Sequence, residues 1–119
     1  MKYLVLLYDN PNVRETLTAA ALADMRTLLS ELTEAGELLG TEALADPSQT
    51  KTLRGKDGDG LPVVSDGPFA EAKEFLGGFL LLDVENQQRA LDIMARWPEG
   101  LCAAIEVRPL MHQGGPDSL

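Results

Sequence analysis

Apolar residues along the chain fall into two rhythms, and the points where one gives way to the other mark out the elements. Tyr3-Leu-Val-Leu-Leu7 is an apolar run that stops at Asp9-Asn10-Pro11, so Lys2 to Tyr8 predicts a strand. Leu17, Ala21, Leu22, Met25, Leu28, Leu29 and Leu32 then recur three and four residues apart, the spacing of one helix face. Asp24, Arg26, Thr27, Ser30, Glu31 and Glu34 occupy the other face. Thr16 or Thr18 can cap the start of this helix, and Gly36 suits the left-handed position past its end. Glu37 to Leu44, interrupted by Gly40, predicts a second strand. Asp46-Pro-Ser is a turn signal. The stretch from 50 to 66 predicts a hairpin folded about Lys56-Asp-Gly-Asp-Gly60, with Pro62 favouring an edge position. Phe75 to Val84 predicts a strand after the Gly77-Gly78 pair. Asn86 can cap a second helix running to Trp97, with Ala90, Leu91, Ile93, Met94 and Trp97 inward, and Pro98 stops it. Cys102 to Pro109 supplies the last strand.

The order β-α-β-(hairpin)-β-α-β predicts an α+β fold, a ferredoxin-like βαββαβ sheet with an inserted β-hairpin. A single domain over residues 1–110 is expected, with a mobile C-terminal tail at 111–119. Two helices cover only one face of such a sheet, yet residues 3–7 and Phe79-Leu-Leu-Leu82 are apolar toward both faces. A bare face of that kind exceeds the few hundred Å² of apolar patch that monomers tolerate. A second copy packed on it, in a homodimer, is the expected solution.

Composition narrows the classes. A length of 119 residues fits one domain, and a 45% hydrophobic share suffices for a core. Ten basic residues against 19 acidic give a net charge of −9, which argues against nucleic acid as a partner. No apolar run approaches a membrane span, and the apolar opening is too short for a signal peptide. One cysteine, Cys102, cannot form an intramolecular disulfide, so a reducing cytoplasm is the expected setting. With one histidine and one cysteine, no transition-metal set of such ligands forms within a subunit. Asp57-Gly-Asp59-Gly60 lacks the remaining ligands of a calcium loop and reads as a turn. Gly77-Gly78 fits neither nucleotide-binding glycine pattern. No metal and no cofactor are expected. Cys102, Met25, Met94 and Trp97 read as core, and His112 as incidental.

The densest polar cluster runs from Ser65 to Gly78. Pro68 and the alanines favour a short helical turn there, with Asp66 accepting from the amides that open it. In a catalytic reading Asp66 or Glu74 is the general base, and Arg54, Glu71, Lys73 and Arg108 hold an anionic ligand. A carboxylate paired to Lys or Arg is a weaker base unless burial raises its pKa again. The alternative is that Asp66 caps the turn and the other charges pin the loop.

The segment Val64-Ser-Asp-Gly-Pro-Phe-Ala-Glu-Ala-Lys-Glu-Phe-Leu-Gly-Gly-Phe79 resembles the YCII-related family, in particular its DGPF-domain branch. Lys2-Tyr-Leu-Val-Leu-Leu-Tyr8, Ala35-Gly-Glu-Leu-Leu-Gly40 with Thr52-Leu-Arg54, Ala90-Leu-Asp-Ile-Met-Ala-Arg-Trp-Pro98 and Ala104-Ile-Glu-Val-Arg-Pro109 agree with that branch. The resemblance implies a subunit that dimerises into an α+β barrel, and a bacterial cytoplasmic protein. It also implies genes that neighbour sigma factors, and a biochemical role left unassigned. Shorter relatives carry a His-Asp pair suspected of acid-base catalysis, and one related group removes chloride from chlorinated hydroquinones. This chain has Ala20-Ala-Leu-Ala-Asp24 where those relatives place the histidine and Ala95-Arg-Trp-Pro98 where they place an Asp-Pro element, so the pair does not carry over. Arg54, Asp66, Gly67, Pro68, Phe69, Glu71, Lys73, Glu74 and Arg108 do match the branch. The expected function is a small-molecule-binding or regulatory homodimer, with a basic partner protein such as a sigma factor. The alternative is a lyase or isomerase with a carboxylate acid-base residue, acting on a small polar or aromatic substrate.

Overall fold

Strand β1 (Lys2–Asp9) runs through the middle of the sheet, with an antiparallel strand paired on either side. After it come α1 (Pro11–Glu15), α2 (Ala19–Glu34), β2 (Leu38–Ala43), a 3-10 turn (Pro47–Gln49), β3 (Lys51–Lys56), β4 (Pro62–Asp66), β5 (Phe75–Asp83), α3 (Gln87–Met94) and β6 (Ala104–Pro109). The computed structural model describes residues 1–70 and 72–112. β2, β5, β1 and β6 form one antiparallel sheet in that order, the ferredoxin-like arrangement. β3 and β4 pair only with each other.

Capping decides where the helices begin and end. Thr18 Oγ1 accepts from the Ala21 amide at 3.1 Å, and Asn86 Oδ1 from the Arg89 amide at 2.9 Å. At the far end of α2 the Gly36 and Glu37 amides reach back to the Thr33 and Leu32 carbonyls, and Gly36 takes φ +72°, where a side chain is disfavoured. α1 is too short to show periodicity. It exists because Asn10 accepts from the Val13 amide and Pro11 occupies its first position. α3 stops at Met94 instead of Trp97, since the Arg96 and Trp97 amides bond three residues back in a tighter turn.

Two further expectations change. No helix forms among the described residues between β4 and β5, and Cys102 precedes β6 instead of lying within it. Most of the expected tail, 113–119, lies outside the described residues, while His112 is exposed.

Val5 stands opposite Leu80 and Tyr3 opposite Leu82, and this face meets Leu28 and Leu32 of α2 and Ile93 and Met94 of α3 in the core. The next residues in register, Leu4 with Leu81 and Leu6 with Phe79, point the other way. They are half-buried among themselves, and the molecule is 19 Å deep, about one sheet and one helix layer. Among the described residues no helix is long and apolar enough to cross a membrane.

Candidate functional site

The apolar stripe of α2 changes role along its length, and β5 decides where. Helix-facing positions of β5 are Gly78, Leu80 and Leu82. Where the leucines rise, Leu28 and Leu32 close the core. Where Gly78 offers no side chain, a cavity of about 410 Å³ opens, lined on the helix side by Leu22, Met25 and Leu29. Leu7, Gly77, Gly78 and residues 41–43 of β2 form its floor, and Leu17, Trp97, Leu101 and Cys102 close its sides. The glycines cannot be exchanged freely. A Cβ on Gly78 would lie 2.9 Å from the Glu42 carbonyl oxygen, and one on Gly77 3.1 Å from Asp9 Cβ.

The lining is mostly apolar, with few polar groups. Asp9 ends β1 with its side chain 18% exposed. Its Oδ1 accepts from the Asn10 amide at 2.9 Å, and its Oδ2 stands 3.6 Å from Arg14 Nε. Arg14 is drawn away as well, since it donates to Asp46 at 3.2 Å and lies 5.6 Å from the centroid of the Phe75 ring. Thr41 donates to the Phe79 carbonyl at 2.9 Å. Burial, and then the charge of Asp9, push the Cys102 thiol pKa up, so Cys102 is a neutral thiol near pH 7 and not a thiolate nucleophile. Trp97 Nε1 is buried with no hydrogen-bond partner among the described residues, a situation that costs about 1–3 kcal/mol. Among the described residues no three His, Cys, Asp or Glu side chains converge as metal ligands.

The residues singled out in the sequence lie elsewhere. Asp66 ends β4 on the surface and pairs with Lys51. Arg54 is on β3 with its guanidinium 4.5 Å from the centroid of the Phe69 ring. Lys73 lines a shallow cleft with Asn10, Pro11 and Asn12, and Glu74 is exposed beside it. Arg108 lies on β6 in register with Leu4, on the sheet face away from the helices, with Glu106. Glu106 also accepts from the Tyr8 hydroxyl and raises its pKa. Glu71 lies outside the described residues. Among the described residues, the structure does not gather these groups around one cavity. The cavity's own polar residues, Asp9, Trp97 and Cys102, come from segments far apart in sequence. Their signal was the glycine pair in the register of a buried strand.

Comparison with known proteins agrees with this architecture. The YCII-related domain model matches residues 1–113. An uncharacterised protein of Rhizobium meliloti is 33% identical over 116 residues, covering 92% of each chain. Among solved structures, 5-chloro-2-hydroxyhydroquinone dehydrochlorinase from Burkholderia phenoliruptrix, in complex with 2,5-dihydroxybenzoquinone, superposes with a TM-score of 0.50. It is 18% identical, and the match covers 95% of this chain and 96% of that one, a likeness of fold.

Proposed function

The chain belongs to the YCII-related family, and from that premise we propose that it is a small-molecule-binding protein whose ligand enters the cavity beneath α2. The observation that carries this reading is the cavity itself: about 410 Å³, with apolar walls and one sheltered carboxylate. A compact ring that donates to Asp9 and packs on the apolar walls suits such a lining. Trp97 is the chain's one tryptophan, so intrinsic fluorescence reports directly on the site. Titration with hydroxylated benzenes should give a saturable change that Leu22→Arg, which fills the cavity, removes. A flat wild-type response up to millimolar concentration across such a series would overturn the reading.

A second reading rests on Asp9. Its carboxylate lines the cavity at the end of β1, ion-paired with Arg14 at 3.6 Å, and so stands within reach of a bound ring. The dehydrochlorinase of similar fold handles a hydroxylated ring. In this reading the chain is a lyase or isomerase, with Asp9 in the role expected of Asp66 or Glu74. Asp9→Asn should then lower turnover about 100-fold or more while ligand binding persists. Asp66→Asn and Glu74→Gln should leave turnover unchanged; loss of turnover in either would return the role to the loop.

The open sheet face supports a homodimer. Leu4, Leu6, Phe79 and Leu81 form its apolar centre, and Glu106 and Arg108 flank it with opposite charges. A two-fold contact can pair each of those charges with the other's copy. Light scattering at micromolar concentration should give twice the 12.9 kDa chain mass, and Leu6→Arg should reduce it to one.

A further inference from the structure

β5 carries one residue more than β1 can match. Leu7 faces Gly78 and Tyr8 faces Leu76, so Gly77 between them has no partner on β1 and forms a β-bulge. On its other side the sheet stays closed, since the Gly77 carbonyl accepts from the Leu44 amide at 2.9 Å. A shift of one residue moves every side chain beyond it to the other face. In unbroken register Asp9 would stand opposite Leu76. With the bulge it stands opposite Phe75, and the two share the side of the sheet on which Asp9 lines the cavity.

Both consequences of the bulge fall on the Asp9 carboxylate. The first is space. The three atoms nearest to a Cβ built on Gly77 all belong to the Asp9 side chain: Cβ at 3.1 Å, Oδ2 at 3.4 Å and Cγ at 3.7 Å. Glycine at this position therefore leaves the room that the carboxylate fills. The second is support. Phe75, turned to the same face, puts its ring centroid 5.6 Å from the Arg14 guanidinium, whose Nη1 donates to Asp46 at 3.2 Å. α1 buries none of its residues, so Arg14 is steadied from outside its own helix. Held there, its Nε stands 3.6 Å from Asp9 Oδ2, past hydrogen-bond length. The Asn10 amide takes one acceptor position on Oδ1, and a carboxylate has about four.

We propose that Gly77 and Phe75 are positioning residues for Asp9, and that the carboxylate they aim makes the cavity select rings bearing a hydroxyl over rings of similar shape with no donor. This rests on the reading of the cavity as a ligand site and adds what places its one carboxylate. The bulge serves the site because it sets, in a single residue, both the room for Asp9 and the ring that steadies its cation.

Two probes of one shape read the selection: hydroquinone, which can donate, and 1,4-dimethoxybenzene, which cannot, each titrated into the full-length protein and followed by amide NMR. Wild type should bind hydroquinone about 10-fold tighter, the worth of one hydrogen bond to a charged acceptor. Asp9→Asn and Gly77→Ala should each erase that preference and leave 1,4-dimethoxybenzene binding unchanged. Phe75→Leu, which keeps the bulge's backbone, should do the same because Arg14 then closes on Asp9, and it carries the test if Gly77→Ala does not fold. Equal weakening of both probes in the variants would mean a structural role only and overturn the proposal, as would a preference that survives in them. A second readout needs no ring. β1 lies between Gly77 on β5 and Cys102 at the start of β6, so a methyl on Gly77 pushes Asp9 toward Cys102. The charge of Asp9 already disfavours the Cys102 thiolate. Alkylation of Cys102 by iodoacetamide at pH 8 should therefore be slower in Gly77→Ala and faster in Asp9→Asn than in wild type. If wild type binds neither ring, the cavity reading and the selection fall together, and the alkylation rates still decide the positioning. Rates equal to wild type in both variants overturn it.

Discussion

Gly78 shows how much one missing side chain decides. It occupies the helix-facing register two residues before Leu80, 2.9 Å in Cβ terms from the Glu42 carbonyl, and it opens the cavity that Asp9, Trp97 and Cys102 line. Gly78→Ala must therefore push β2 away from β5. We expect a loss of about 1–3 kcal/mol, read as a lower Tm; an unchanged Tm would show that the strand gives way freely. Cys102 offers a second residue-level test. With its pKa raised by burial and by Asp9, it should react with a thiol reagent more slowly at pH 7 than a free cysteine, and faster as pH rises. Cavity ligands should slow it further.

At the scale of elements, α2 and α3 are held by their caps and by two ion pairs between the two segments, Glu37 with Arg89 and Glu31 with Arg96. Removing the Thr18 hydroxyl, in Thr18→Ala, should cost about 1 kcal/mol in denaturant unfolding. Glu37, just past α2, receives both Nε and Nη2 of Arg89 in α3, at 2.9 and 2.7 Å. The Arg89 guanidinium holds the Glu37 carboxyl below the ordinary value of 4.5. Its pKa is lower folded than unfolded, so its stabilisation is present above about pH 4.5 and is lost as pH falls through the depressed folded value. Glu37→Gln should be less stable at neutral pH, by about 1 kcal/mol since the pair is partly exposed, and should lose less on acidification than wild type. Equal acid sensitivity in the two proteins would place the titrating group elsewhere. Elements of this kind were legible in the sequence because their determinants are local: the caps at Thr18 and Asn86, Gly36, the stripe of α2. α1 was not, since five residues show no period, and the expected helical turn after Pro68 did not form among the described residues.

For the whole molecule, the sheet order β2-β5-β1-β6 leaves one apolar face with little of its own chain to pack on. If it is covered by a second copy, folding and association are linked, and Tm should rise with protein concentration. A Tm constant from tens of nanomolar to tens of micromolar would argue for a stable folded monomer. The sequence by itself determined the strands and the main helices, the inserted hairpin, the two-sided apolarity of the sheet and the family. Each of those is written in spacing, turn chemistry or a contiguous motif such as Asp66-Gly-Pro-Phe69. The cavity was decided only by tertiary structure. Asp9, Gly78, Trp97 and Cys102 lie far apart along the chain and meet because antiparallel register and helix packing bring them together. Asp66, Lys73 and Glu74, from a run dense in charge, end on the surface, because a polar cluster left without burial goes to water.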